Sequence, residues 1–254
     1  MNSVERVSAN TVAVFTFGRF QPPTIGHKLL IDAVASESAS LGADGYIFVS
    51  SSQNDLTKYQ RSIRYRNMMS RGAFNSIDLN ENPLDVTTKI KFLKKMYPET
   101  SIKFINTTEC PPAPVGLNPG CKKLFEIITK LKVAGYNRII MVAGSDRAAD
   151  YESRISKYHP DIEYKSLERL KRNPNNTSNI KPEEMSGTLV RKAAASGKLE
   201  AFSKGVKIGS MTDEDVKELF NEVRKGLALV MMGGKRKRKT CRKNLHPRES
   251  IKIS

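Results

Sequence analysis

The chain has 254 residues, 39% of them hydrophobic, enough for one large buried core, and no apolar run approaches the length that spans a bilayer, so a soluble protein is expected. Its formal charge of +17 is uneven: from Lys235 onward there are nine Lys or Arg and one acid, Glu249, which leaves about +9 for the rest and suits a phosphate-rich ligand or a polyanion. Cys110, Cys121 and Cys241 make no C-x-x-C pair, so reduced thiols are expected, and a zinc site on Cys241 and His246 lacks company.

Residues 1–11 are polar and lack the apolar stretch of a secretory signal, which predicts an N-terminal extension and a cytoplasmic protein. Residues 12–17, Val-Ala-Val-Phe-Thr-Phe, form an apolar run of the kind that makes a strand buried on both faces of a parallel sheet. Gly18 breaks it. Pro22 and Pro23 then hold an open loop as far as Gly26, after which Leu30, Ala33, Val34 and Leu41 recur at helical spacing until Gly42. Such a strand-to-helix joint leaves backbone N–H groups at a helix N-terminus for an anion, with a glycine allowing close approach and His27 within reach of a phosphate. A histidine that merely caps an ordinary turn is the plain alternative.

Residues 46–49 read as a second buried strand, with Ser51 and Gln53 at the carboxyl end where open parallel sheets bind ligands. Residues 54–81 read as an insertion before Asn82-Pro-Leu84. Its Lys58, Arg61, Arg64, Arg66 and Arg71, with Tyr59 and Tyr65 among them, fit a basic lid or nucleic-acid contact and fit a solvated helix equally well. A helix is predicted over 87–96, with Ile90 and Leu93 inward, and a strand over 102–105. A proline-rich loop follows, then a helix over 122–133 stopped by Gly135. Residues 138–143 are expected to form the fourth strand, and Gly144 and Asp146 at its carboxyl end are candidates for a ligand pocket beside the Gly18 turn. Ser145 and Asp146 also suit a simple helix cap.

Met185-Ser-Gly-Thr-Leu-Val-Arg191 opens a further helix that runs to Gly197. Ser186 and Thr188 offer hydroxyls and a helix N-terminus to an anion, and Arg191 projects over the same end one turn later. Thr212 is the expected cap of a last helix with Val216, Leu219, Phe220, Val223 and Leu227 as its apolar stripe. One domain over 12–230 results. Beyond it, residues 231–254 have almost nothing to bury and are expected to be disordered, with a Lys/Arg run that hints at nuclear targeting or nucleic-acid contact.

Gly18-Arg-Phe-Gln-Pro-Pro-Thr-Ile-Gly-His27 resembles the G-R-F-x-P-x-H-x-G-H signature of the nucleotidyltransferase superfamily, and residues 185–191 resemble its S-S/G-T-x-x-R motif. The two motifs stand in the superfamily's order. Thr24 replaces the first histidine of H-x-G-H and can offer a hydroxyl but no charge. The resemblance implies a Rossmann-like, doubly wound parallel sheet with helices on both faces. It also implies transfer of an adenylyl or cytidylyl group with release of pyrophosphate. By the same resemblance His27, Arg191 and Thr24 are catalytic, and Phe17, Gly18, Arg19, Phe20, Gly26, Ser186, Gly187 and Thr188 bind nucleotide.

In detail the motifs look most like nicotinamide mononucleotide adenylyltransferases of archaeal and viral type. ATP is then the donor, a small phosphorylated molecule the acceptor, and NAD biosynthesis the context, with Mg2+ arriving on the nucleotide. A homo-oligomer is also admitted. Two alternatives stand beside this reading: a cytidylyltransferase using CTP and a phosphorylated alcohol, and a decayed site, with Thr24 its scar, on a basic nucleic-acid-binding protein.

Overall fold

The apolar run after residue 11 is a strand, β1 (Thr11–Gly18), with Ala13, Val14 and Phe15 fully buried on alternating faces. It sits at the centre of the molecule. In the computed structural model, which describes residues 11–53, 82–108, 123–168 and 185–227, β1 leads through a 3-10 turn (Ile25–His27) into α1 (Lys28–Ser40). β2 (Asp44–Val49), α2 (Val86–Met96) and β3 (Lys103–Asn106) follow on one side of it. α3 (Leu124–Ala134), β4 (Tyr136–Gly144), α4 (Ser145–Ile155) and β5 (Glu163–Leu167) lie on the other, and α5 (Gly187–Ala195), α6 (Leu199–Val206) and α7 (Asp213–Gly226) complete the described fold.

All strand pairs are parallel and the order is β3-β2-β1-β4-β5. The chain therefore reverses its direction of travel across the sheet between β1 and β4. That reversal opens a crevice above their carboxyl ends. Period-two alternation divides the core into two layers. Val14, Ile47, Val49 and Val142 pack with α1, α2, α5, α6 and α7, whereas Phe15, Tyr46, Phe48 and Met141 pack with α3 and α4. This is the Rossmann-like doubly wound α/β fold.

Several local expectations are met for the reasons given. Gly135 ends α3 in the left-handed conformation (φ 106°) that other residues adopt only with strain. Thr212 caps α7: its hydroxyl accepts from the Asp215 N–H at 3.2 Å, and the Asp215 carboxylate accepts from the Thr212 N–H at 3.1 Å. That carboxylate also pairs with Lys95 of α2, so the cap doubles as a tie between helices.

Two local expectations are corrected. β5 was not foreseen, because Glu-Tyr-Lys-Ser-Leu is an edge strand with mostly exposed residues, tied to β4 by the paired hydrogen bonds of Arg138 to Glu163 at 2.7 and 2.9 Å. α4 is capped by Gly144 without a side-chain bond, so Ser145 is its first residue rather than its cap. The extension before Thr11, the insertion over 54–81, the proline-rich loop and the basic tail lie outside the described residues. Among the described residues no helix is long and apolar enough to cross a membrane.

α7 is set against the entry to α2 at one tight point. A Cβ added to Gly226 would come 2.0 Å from the carbonyl oxygen of Pro83. Gly226→Ala is therefore expected to destabilise the fold by about 1–3 kcal/mol, as overpacking against unyielding backbone does. Chemical denaturation would measure it, and an unchanged midpoint would mean that α7 does not rest on residue 83.

Candidate active site

Beyond Gly18 the chain makes a turn that the sequence alone does not disclose. Phe20 has φ 48°, the left-handed region that costs an L-residue about 1–2 kcal/mol. The ring explains why it is held there. It folds back onto Gly18, where a Cβ would lie 2.7 Å from it, and packs on the His27 ring with centroids 4.8 Å apart. The Gln21–Pro22 peptide that follows is cis.

His27 ends the 3-10 turn, and its orientation is fixed from behind by Thr24. The Thr24 N–H donates to His27 Nδ1 at 3.0 Å, and the Thr24 hydroxyl lies 2.9 Å from the same nitrogen and 3.2 Å from the Met185 carbonyl. A backbone N–H can only donate, so Nδ1 accepts, and this bond assigns the proton of the neutral ring to Nε2. Thr24 itself is 0% exposed and does not line the cleft. The hydroxyl that Thr24 offers is thus turned inward, to the Met185 carbonyl and the His27 ring, and not into the cleft. Tyr97, just after α2, donates its hydroxyl to the Thr24 carbonyl at 3.1 Å. Burial, with the charge of Asp32, pushes that phenol up, so it stays a donor.

α5 closes the other wall. Ser186 is its N-cap, the hydroxyl accepting from the Leu189 N–H at 3.3 Å, so the plain capping role read from the sequence is real. Gly187 follows because nothing larger fits: a Cβ there would lie 2.8 Å from the Gln21 carbonyl oxygen. Arg191, only 5% exposed, donates to that same carbonyl and, at 3.1 Å, to the Thr188 hydroxyl. The guanidinium thus joins the two motifs directly.

Between these walls lies a cleft of about 250 Å³ at the carboxyl ends of β1 and β4. Phe17, Gly18, Arg19, Phe20, Gly26, His27, Gly144, Ser186, Gly187, Thr188 and Arg191 all line it, so most residues singled out in the sequence are brought together. Ser51 and Gln53 are not. After Val49 the Ser50 N–H bonds the Gly18 carbonyl at 2.9 Å and Ser50 turns back to Ser52 at 2.8 Å, leaving Ser51 half-buried and Gln53 exposed outside the cleft. The side chain of Asp146 lies outside the described parts.

The sequence reading missed Gln21, Lys89, Arg147 and Tyr151. Arg147 and Tyr151 line the cleft from α4, at helical spacing from Gly144, a periodicity that could have found them. Gln21 is buried, donating to the carbonyls of Ser52 (2.9 Å) and Leu84 (2.7 Å) and accepting from the Leu84 N–H (2.9 Å). Lys89 is buried on α2, donating to the carbonyls of Arg19 at 3.2 Å and of Ser50. It falls in the stripe of Val86, Leu93 and Met96, which was the signal for an inward-facing lysine.

The arrangement predicts that Thr24→Val, which keeps the backbone donor but strips the Met185 carbonyl and Nδ1 of the hydroxyl, costs about 1–3 kcal/mol in unfolding free energy. Nitrogen NMR of the imidazoles, with His27→Ala to assign the signal, should find Nε2 protonated and Nδ1 bare in the parent. The opposite tautomer would contradict the geometry.

None of the protein-family models and none of the curated proteins compared matches the sequence. Solved structures of the nicotinic acid mononucleotide adenylyltransferase of Plasmodium falciparum, one complexed with NaAD and one with APC, are similar at 12% and 11% identity. Each has a TM-score of 0.43 and covers 85% of this chain and 96% of its own. At that level of likeness the cleft stands on its own geometry.

Proposed function

We propose that this protein is a nucleotidyltransferase that moves an adenylyl group from ATP to a phosphate-bearing small molecule, nicotinamide mononucleotide first among acceptors, and releases pyrophosphate. The observation that carries this reading is the convergence of three helix N-termini, those of α1 through its 3-10 turn, α4 and α5, on a cleft that Arg19, His27, Arg147 and Arg191 also line. No Asp or Glu appears among the described residues lining it. Helix N-termini and guanidinium groups gathered on one cleft suit a ligand carrying several phosphates.

In this reading an acceptor phosphate oxygen attacks the α-phosphorus of ATP in line. The new P–O bond forms as the bond from the α-phosphorus to the bridging oxygen breaks, and that oxygen leaves with the electron pair on pyrophosphate. No covalent enzyme intermediate is required. The protein's task is to hold both partners and to stabilise charge as it moves to the leaving group. His27 donates from Nε2 to a phosphate oxygen, while Arg191, Ser186 and Thr188 hold the outer phosphates. Among the described residues no three His, Cys, Asp or Glu side chains come together to hold a metal. A magnesium ion brought by the triphosphate would keep phosphate and water ligands.

The test is pyrophosphate release with ATP or CTP against a panel of phosphorylated acceptors. CTP preference would replace adenylyl by cytidylyl transfer, and no release with any pair would overturn the reading. His27→Ala is expected to lower kcat about a hundredfold or more, roughly 3 kcal/mol, with KM little changed, because a preorganised donor acts most on charge that develops in the transition state. Arg191→Lys keeps the charge but cannot span both the Gln21 carbonyl and Thr188, and should weaken ATP binding about tenfold, near 1.4 kcal/mol.

A further inference from the structure

Lys89 is fully buried, yet among the described residues it holds no carboxylate in a salt bridge. Its Nζ donates to two backbone carbonyls, those of Arg19 and Ser50, which belong to the loops following β1 and β2. The Arg19 carbonyl is a telling partner, because it belongs to the peptide whose other end is the N–H of Phe20, the residue in the left-handed conformation. A trans peptide sets its C=O and N–H in opposite directions, so drawing the Arg19 carbonyl toward α2 turns the Phe20 N–H away from α2. A lysine in an otherwise apolar stripe is costly to bury, and a Met or Leu there would pack as well without the desolvation.

We propose that Lys89 is a positioning residue for phosphate binding: from beneath the loop after β1 it fixes the Arg19–Phe20 peptide and places a buried positive charge under the polyphosphate site. The inference rests on the nucleotide reading of the cleft. Among the described residues the charged and titratable groups facing the ammonium are Asp85, at the cap of its own helix, and Arg19 on the loop, while Ser50 on the β2 side offers its carbonyl. Burial lowers the Lys89 pKa to about 8, with Asp85 raising it and Arg19 lowering it further. Burial raises the Asp85 pKa, but hydrogen bonds from the Thr88 side chain and backbone outweigh it and keep the carboxyl below its usual range. Asp85 therefore keeps its charge at neutral and mildly alkaline pH, where Lys89 titrates.

Linkage separates this role from a structural one. The folded pKa lies below the ordinary 10.5, so the unfolded chain binds more protons between about 8 and 10.5, and Lys89 makes the free protein more stable as pH rises through that window. A phosphate ligand that prefers the charged amine gives the opposite trend. Its affinity should fall as pH climbs past about 8, tenfold for each unit by which the ligand raises the Lys89 pKa.

The probe is ATP with a methylene bridge between its α and β phosphates, titrated calorimetrically into the full chain from about pH 7 to about pH 9.5. The parent should lose about tenfold in affinity across this range. Lys89→Met should bind about tenfold more weakly at the lower pH and show a flat profile. A flat parental profile overturns the proposal without any variant, and so does parental affinity in a folded Lys89→Met. No binding by the parent at any pH would instead sink the nucleotide reading itself.

Discussion

The carbonyl groups of the loop between β1 and α1 are the constraint from which the rest follows. A loop that offers N–H groups to an anion must satisfy its carbonyls on the opposite side, away from the ligand. Here each described acceptor has a different source: Gly18 takes the Ser50 N–H, Arg19 takes Lys89, Gln21 takes Arg191, and Thr24 takes both Tyr97 and the His27 N–H. The donors come from the β2 loop, from the middle and exit of α2, from α5 and from the 3-10 turn itself. The loop is thus a hub that secondary elements far apart in sequence must reach before the cleft exists.

α2 carries the largest share of this support. It meets the loop through Leu84 at its entry, Lys89 in its middle and Tyr97 at its exit. It is itself held from outside, where Lys95 pairs with Asp215, Lys91 with Glu218 at 2.5 Å, and the Ser210 N–H bonds the Lys95 carbonyl at 2.9 Å. The exposed pairs add little energy individually, since solvent screens them. Their value is register: they fix α2 along its axis, and with it the three contacts to the loop.

What could be read in the sequence follows from burial. β1, β2 and β4 are apolar runs because both faces of a central parallel strand are covered, and they are recognised with small boundary differences. β5 carries no such signal, because an edge strand with exposed Glu163, Lys165 and Ser166 has no interior to announce. The cleft was largely legible because glycines, hydroxyls and cations cluster in two short motifs. What escaped was direction. Thr24 looks like a ligand contact by its place in the motif, yet which way a short side chain turns is decided by Met185, far along the chain. Lys89 escaped for a similar reason, since a lysine in a helix is read as solvated until its partners are seen to be carbonyls.

The side chain of Gln21 has a consequence of a different kind. With one amide it holds the carbonyl of Ser52 and both backbone groups of Leu84, and so it clasps the chain on either side of residues 54–81 at a single point. Once the two ends are pinned together, the free energy of closing the segment between them grows only with the logarithm of its length, about 0.6 kcal/mol for each doubling. The clasp itself calls on no residue of that segment, so its three bonds tie the two flanks together whatever the number of residues between them.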